Sequence, residues 1–392
     1  MRQDGEEEHA RAEGGYGMIA VSMHNPALRR AVAIYDTTLR DGEQMPGVRF
    51  SPEQKLEIAL ALEEAGVREI EAGFPAVSRE EAEAVKLVAA NSGAKVSALA
   101  RLKREDIDAA AECGVHRVVL FAPASELLLR HKLRVSFEEL LELSMQAVEY
   151  ARQRGLMVSF SAEDATRAPL ERLLLLYRAA AGAGAGRLHV ADTAGAAAPE
   201  AVERIIGALR RELRAELCVH CHNDFGLATA NTLAGVKAGA ELAAVTVNGI
   251  GERAGNAALE EVAAALEMLY GVRTGIRLER LGMLSELVRR CSGVEPQPHK
   301  AVVGRNAFAH ESGVHVAAVL CNPLTYEPYL PELVGAKRRI VLGKHSGRKA
   351  VAAKLQEMGV RAGEKELRAL VGRIKGGALL HSGAGFDARE TC

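Results

Sequence analysis

An α/β barrel of eight strands, with a smaller mainly helical region after it, is the fold class that the sequence predicts. Eight short β-branched runs alternate with amphipathic segments between residues 31 and 272, and the apolar residues of those segments recur near the helical period. Eight βα units in about 240 residues match a (β/α)8 TIM barrel in number and length. An open doubly wound sheet normally has fewer strands.

The runs are, in order, AVAIYDTTL, VREIEAG, KVSALA, RVVLFAP, LMVSFSAED, RLHVADT, ELCVHCHND and AAVTVNGIG. The first helix, SPEQKLEIALALEEAG, carries its own boundaries: Ser51 as cap, Pro52 at the first helical position, Gln54 to complete a capping box and Gly66 to end it. Gly114, Gly155, Gly239 and Gly271 stop later helices in the same way. The strand grammar ends at Gly271, so a catalytic barrel is expected over 31–272 and a mainly helical C-terminal region over 277–392. Residues 1–30 lack periodicity and read as a poorly ordered leader, with Met18 and Met23 as alternative starts.

A formal charge of -1 over 392 residues argues against nucleic acid or a membrane surface as the main partner. No apolar run reaches membrane-spanning length and the acidic N-terminus is unlike an export signal. Six scattered cysteines suit a reducing cytoplasm. Cys218-Val-His-Cys221 has CxxC spacing, but no second pair completes a zinc site and a redox role is discounted. The glycines of GIGERAGN lack the frame of a dinucleotide loop.

In such a barrel ligands bind at the C-terminal ends of the strands, so charged residues just after apolar runs are candidates for chemistry. The charged and other polar residues at those positions are Arg40, Asp41, Glu71, Glu163, Asp164, Asp192, Thr193, His220, His222, Asn223, Asp224, Asn248, Glu252, Arg253 and Asn256. His220 and His222 are two apart and share a strand face, with Cys221 on the other. With Asp41 from strand one they form a candidate two-histidine, one-carboxylate metal site with open positions; the alternative is barrel packing. Arg40 is placed either to meet an oxyanion beside that metal or to pair with Glu71 or Glu163. Gly42 is expected to let the chain turn over the rim. Glu163, Asp164 and Arg167 suit a base or a carboxylate clamp, or cap the next helix. Thr193 either hydrogen-bonds a substrate carboxylate or begins a turn.

LRDGEQ followed by ten residues and Lys55, LCVHCHNDFGLATA, NGIGERAGNAALEEV, GRNAFAHESGVHVAAVL, NPLTYE and VLGKHSG together resemble the 2-isopropylmalate synthase and homocitrate synthase family over about residues 32–350. The resemblance implies a barrel enzyme that condenses acetyl-CoA with a 2-oxo acid at a divalent metal (magnesium, manganese or zinc) and then hydrolyses the thioester. It implies Asp41, His220 and His222 as metal ligands, with Asn256 a further candidate. Arg40 would bind the 2-oxo acid and stabilise negative charge. Glu163, Arg167 and Thr193 fall where members contact substrate or assist proton transfer, and Glu71 and Gln44 would line the same pocket. His315 resembles a residue supplied by a neighbouring subunit, which implies a homodimer or higher oligomer, and Tyr326 is its nearby tyrosine candidate. Ala317-Ala318 departs from the Asp-Gly often found after that histidine.

The residues after KHSG are too few for the leucine-sensing domain usual in bacterial 2-isopropylmalate synthases. The shorter architecture is similar to homocitrate synthases, particularly those serving the nitrogenase cofactor, which makes 2-oxoglutarate the expected acceptor. The alternatives are a 2-isopropylmalate or citramalate synthase acting on 2-oxoisovalerate or pyruvate, and a non-catalytic acyl-CoA or metal-binding barrel. A metal-dependent acyl-CoA lyase shares the RDG start but would want a cysteine-bearing Gly-rich loop that the sequence lacks.

Overall fold

A computed structural model describes residues 18–28 and 30–376, which divide into two compact units. The larger, Pro26–Pro296, is a closed barrel of eight parallel strands in sequential order. Its strands are β1 (Ala33–Asp36), β2 (Glu69–Gly73), β3 (Lys95–Ala100), β4 (Arg117–Pro123), β5 (Met157–Glu163), β6 (Arg187–Asp192), β7 (Glu216–Cys221) and β8 (Leu242–Val245). Closure is made by β1 and β8, which pair from Ala33↔Leu242 to Asp36↔Val245. The helices that follow the strands are α1 (Pro52–Glu64), α2 (Arg79–Asn91), α3 (Arg104–Glu112), α4 (Phe137–Gln153), α5 (Leu170–Ala183), α6 (Pro199–Glu212), α7 (Ala228–Ala238) and α8 (Leu259–Tyr270).

Local sequence explains where the elements start and stop. The Ser51–Gln54 capping box and Pro52 open α1 as expected. Gly66, Gly114, Gly155, Gly239 and Gly271 all take positive φ at helix ends. The first and last strands are shorter than their apolar runs. β1 stops at Asp36, five residues before Asp41, and β8 stops at Val245, after which Thr246 bridges only to Ala258.

Inside the barrel, Tyr35, Leu99, Val119, Cys218, Leu242 and Ala244 pack into one buried cluster. The N-terminal end is closed by Arg187, 1% exposed, which donates to Glu69 and Glu216. The opposite end, where the strands finish, is open.

One more helix, α9 (Leu281–Ser292), belongs to the barrel unit. This corrects the boundary expected at residue 277: the apolar residues Leu281, Leu284, Leu287 and Val288 are buried, so the unit extends past the last βα repeat.

The smaller unit contains β9 (Ala309–His310), α10 (Gly313–Val319), β10 (Arg339–Ile340), α11 (Arg348–Glu357) and α12 (Glu364–Lys375). The two short strands pair in parallel. Val316, Ile340 and Ala350 form one apolar cluster, and Val351, Leu355 and Ile374 another. The first 17 residues of the expected leader lie outside the described residues. Met18, Ile19 and Ala20 run against Pro328–Leu330 with backbone hydrogen bonds. No helix of the described residues is long and apolar enough to cross a membrane.

Candidate metal centre and active site

The turn after β1 is built on one carbonyl. The amides of Arg40, Asp41 and Gly42 all donate to Thr37 O, at 3.2, 2.8 and 3.1 Å. This carries Arg40 and Asp41 to the rim through a turn, where the sequence reading had the strand itself reach them. Gly42 opens a short 3-10 turn, Gly42–Gln44, and does so without a positive φ. A Cβ there would meet Ile250 Cγ1 at 3.1 Å and Cδ1 at 3.2 Å. Close approach of the loop after β8 is therefore what calls for glycine at position 42. Gly251 in that loop meets the same constraint, since its Cβ would lie 2.1 Å from Asn256 Nδ2 and its φ is +153°.

Strand period places the histidines. Cys218 and His220 face the barrel interior, and His222 continues that face just past the strand end. Cys221 has its pKa raised by burial, and its thiol bonds Thr232 of α7 on the outer side. All five described cysteines are free.

Asp41, His220 and His222 are buried, and each offers a ligand atom within 4.8 Å of the others. Asp41 Oδ2 lies 3.1 Å from His220 Nε2 and 3.6 Å from His222 Nε2, and the two Nε2 atoms are 3.2 Å apart. Ligands at ~2.1 Å from one cation are separated by about 3.0–3.4 Å along the edges of an octahedron or tetrahedron. The three atoms nearly trace one face of such a polyhedron. Asp41 Oδ2 is buried without a hydrogen-bond donor, and two neutral imidazoles facing each other can share only one proton. A divalent cation satisfies all three, so the residues fit the metal.

Electrostatics agree with that donor set. Burial pushes the Asp41 carboxyl up, but Arg40, His220 and His222 outweigh it and hold it well below the carboxylate range. Burial, with His220, pushes His222 down to about 4, leaving a neutral imidazole with a free lone pair. Asn256 is brought beside His222 by an isolated bridge. Its Nδ2 donates to Ile250 O at 3.2 Å, and its Oδ1 is buried without a partner.

A cavity of about 490 Å³ opens above the triad and is lined by Arg40, Gln44, Glu71, Glu163, Thr193, His220 and His222, among others. Of the two uses foreseen for Arg40, the ion pair with Glu71 is formed. Arg40 Nε donates to Glu71 Oε2 at 2.8 Å, and its guanidinium stands 3.4 Å from Asp41 Oδ2. Those two carboxylates, against the opposing effect of burial, hold Arg40 above its usual pKa. Thr193 Oγ1 accepts from the Asp164 amide at 2.8 Å.

Three of the expected site residues, Asn256, Arg167 and His315, are not among those lining the cavity. Arg167 turns to Asp164, its Nε donating to Oδ1 at 2.7 Å, and is 43% exposed. His315 belongs to the smaller unit, where it is exposed and stacks on Tyr326 with ring centroids 4.0 Å apart. That stacking brings together the histidine and tyrosine paired by resemblance.

Sequence reasoning missed Tyr35, Lys132, Ser161 and His189, all of which line the cavity. Inner-face parity on β6, running Arg187, His189, Ala191 and Thr193, was the available signal for His189. Lys132 arrives from the connection between β4 and α4 and binds Glu163; no periodicity announces it.

A family model described as HMGL-like matches residues 31–288, and one described as homocitrate synthase post-HMGL domain-like matches 302–380. Homocitrate synthase AksA of Methanopyrus kandleri is 53% identical over 363 residues, 90% of this chain and 91% of that protein. A 2-isopropylmalate synthase of Methanocaldococcus jannaschii is 49% identical over 88% of this chain and 67% of its own length. Among solved structures, the HMG-CoA lyase of Bacillus subtilis superposes with a TM-score of 0.64 at 25% identity, covering 72% of this chain and 98% of that one. By these matches over nearly its whole length, the chain belongs to the HMGL-like family, in the group of homocitrate and 2-isopropylmalate synthases.

Proposed function

We propose that the protein is an acyltransferase that condenses acetyl-CoA with 2-oxoglutarate and water to give homocitrate and CoA. The convergence of Asp41, His220 and His222 beside Arg40 carries this reading. The relatives that bear the name homocitrate synthase, at 53% and 52% identity, support the choice of acceptor.

A divalent cation held by Asp41, His220 and His222, with Asn256 a further ligand candidate, supplies a Lewis acid for the carbonyl of the 2-oxo acid. Arg40 adds a fixed positive charge where the keto oxygen gains negative charge. Thr193 already accepts from the Asp164 amide, so its own hydroxyl proton is left to donate to a substrate carboxylate. Gln44 and Glu71 complete that wall, and Arg167 acts at one remove through Asp164. Glu163 is the base candidate within the barrel, and His315 from a neighbouring copy in a homodimer or higher assembly is the other. The base takes a methyl proton from acetyl-CoA, and the carbon left behind bonds to the keto carbon. The keto oxygen becomes a hydroxyl, and water then splits the thioester to release CoA as its thiol. The setting proposed is cytoplasmic, and service to the nitrogenase cofactor is the use the sequence resemblance suggests.

Thiol release measured after metal removal and re-addition of magnesium, manganese or zinc tests this. The expected result is the highest kcat/KM with 2-oxoglutarate. Preference for 2-oxoisovalerate or pyruvate would replace the reading by a 2-isopropylmalate or citramalate synthase, and binding without thiol release by a non-catalytic barrel.

A further inference from the structure

We propose that His189 and the cavity floor around it form the subsite for the distal carboxylate of a dicarboxylic 2-oxo acid, deepening and resting on the condensation proposed above. On β6, Ala191 pairs with His220 and His189 with Cys218. Two residues along a strand span roughly 6–7 Å, so His189 sits that far below the level of His220 on the neighbouring strand. A short methylene spacer covers this distance. The side chain lines the cavity, is 4% exposed, and has Nε2 buried without a hydrogen-bond partner. Tyr35 fixes the ring edge-on, with centroids 5.2 Å apart and planes at 88°. An unpaired buried polar atom is unfavourable and rare in folded proteins, and at a cavity wall a ligand is its natural partner.

The surrounding charge selects the ligand's sign. Arg187 below is matched by Glu69 and Glu216. Arg117, 6% exposed, reaches only Val158 O and Ser159 Oγ, both at 3.4 Å, and has no ion-pair partner among the described residues. Burial together with Arg187, His220, Arg117 and Arg40 keeps His189 neutral. A neutral imidazole has one N–H to donate, and in this field of arginines its fitting acceptor is an anion. Leu99 and Val119 provide apolar wall for the intervening methylenes. A branched monocarboxylic acid would leave the His189 donor unpaired.

The experiment compares wild type, His189→Leu, His189→Asn and Arg117→Met with 2-oxoglutarate and 2-oxoisovalerate. His189→Leu should raise KM for 2-oxoglutarate about ten-fold or more and leave 2-oxoisovalerate within about two-fold. His189→Asn, which keeps an N–H donor, should recover part of the loss, and Arg117→Met should reproduce the selective defect if the leucine variant does not fold. Equal losses on both acids, or an unchanged KM for 2-oxoglutarate, would overturn the subsite. Calorimetry with 2-oxoglutarate and 2-oxobutyrate separates this failure from that of the proposed reaction. A chain that turns over neither acid but binds 2-oxoglutarate more tightly, a preference lost in His189→Leu, keeps the subsite without the reaction. Equal binding of both acids by wild type removes the subsite.

Discussion

Lys132 Nζ stands 2.7 and 2.8 Å from the two carboxylate oxygens of Glu163, tying the connection after β4 to the end of β5. The Ala124 amide donates to Glu163 O at 2.9 Å, and Ser125 Oγ donates to the buried Asp164 carboxylate. Glu163 is thus held at the cavity wall by a cation whose own position is set by the next strand. Lys132→Met should lower kcat about ten-fold or more, given the contribution of a positioned base, while Lys132→Arg retains most activity. Steady-state thiol release checks this, and a methionine variant with normal kcat would remove the orienting role.

Arg40 bridges Glu71 and the metal-site carboxylate. Arg40→Ala should cost roughly 100-fold or more in kcat, the scale of losing a preorganised donor to developing negative charge. Metal content, measured by elemental analysis, should stay normal because Asp41, His220 and His222 remain. Unchanged condensation rates with intact metal would take Arg40 out of the chemistry.

The buried, donorless Asp41 Oδ2 makes a prediction independent of turnover. Metal bound only by the folded state at about 100 times its Kd adds roughly 2.7 kcal/mol of stability. Chelation should therefore lower the melting temperature of wild type and leave His220→Ala nearly unmoved. Equal response of the two proteins would place the cation elsewhere.

Asp36 supplies a pH prediction. Burial pushes its carboxyl up to about 7, against the opposing Thr38 hydrogen bonds. Between the ordinary carboxylate value of about 4 and about 7, the folded chain holds a proton that the unfolded chain has released. Stability from this group therefore falls as pH rises through that window. Asp36→Asn carries no such charge, so its melting temperature relative to wild type should climb from pH 5 to pH 8. A constant difference across that range would show that Asp36 titrates as an ordinary carboxylate.

Much of the frame was legible because it depends on local chemistry. Ser51, Pro52 and Gln54 announce the start of α1, and the two-residue spacing of His220 and His222 leaves them no choice of face. What escaped depended on the third dimension. Gly42 was explained by chain curvature, although the deciding neighbour, Ile250, is more than 200 positions away in sequence. Lys132 and Glu163 are 31 apart and meet only because β4 and β5 are adjacent. Arg167 was assigned to the cavity from its position after a strand, yet the left-handed backbone at Asp164, φ 60°, sets that carboxylate where the guanidinium finds it first. His189 was within reach of the same parity argument that found His220, but a histidine three residues short of the strand end attracts less notice than one at the tip.

Arg187, locked between Glu69 and Glu216, plugs the N-terminal end of the barrel, so among the described residues the mouth above the triad is the way in. Two reactants that share it must queue: a bulky thioester seated at the entrance would shut out a smaller molecule bound for the interior. Under the reaction proposed above, a 2-oxo acid bound deep in the cavity would therefore enter before the thioester.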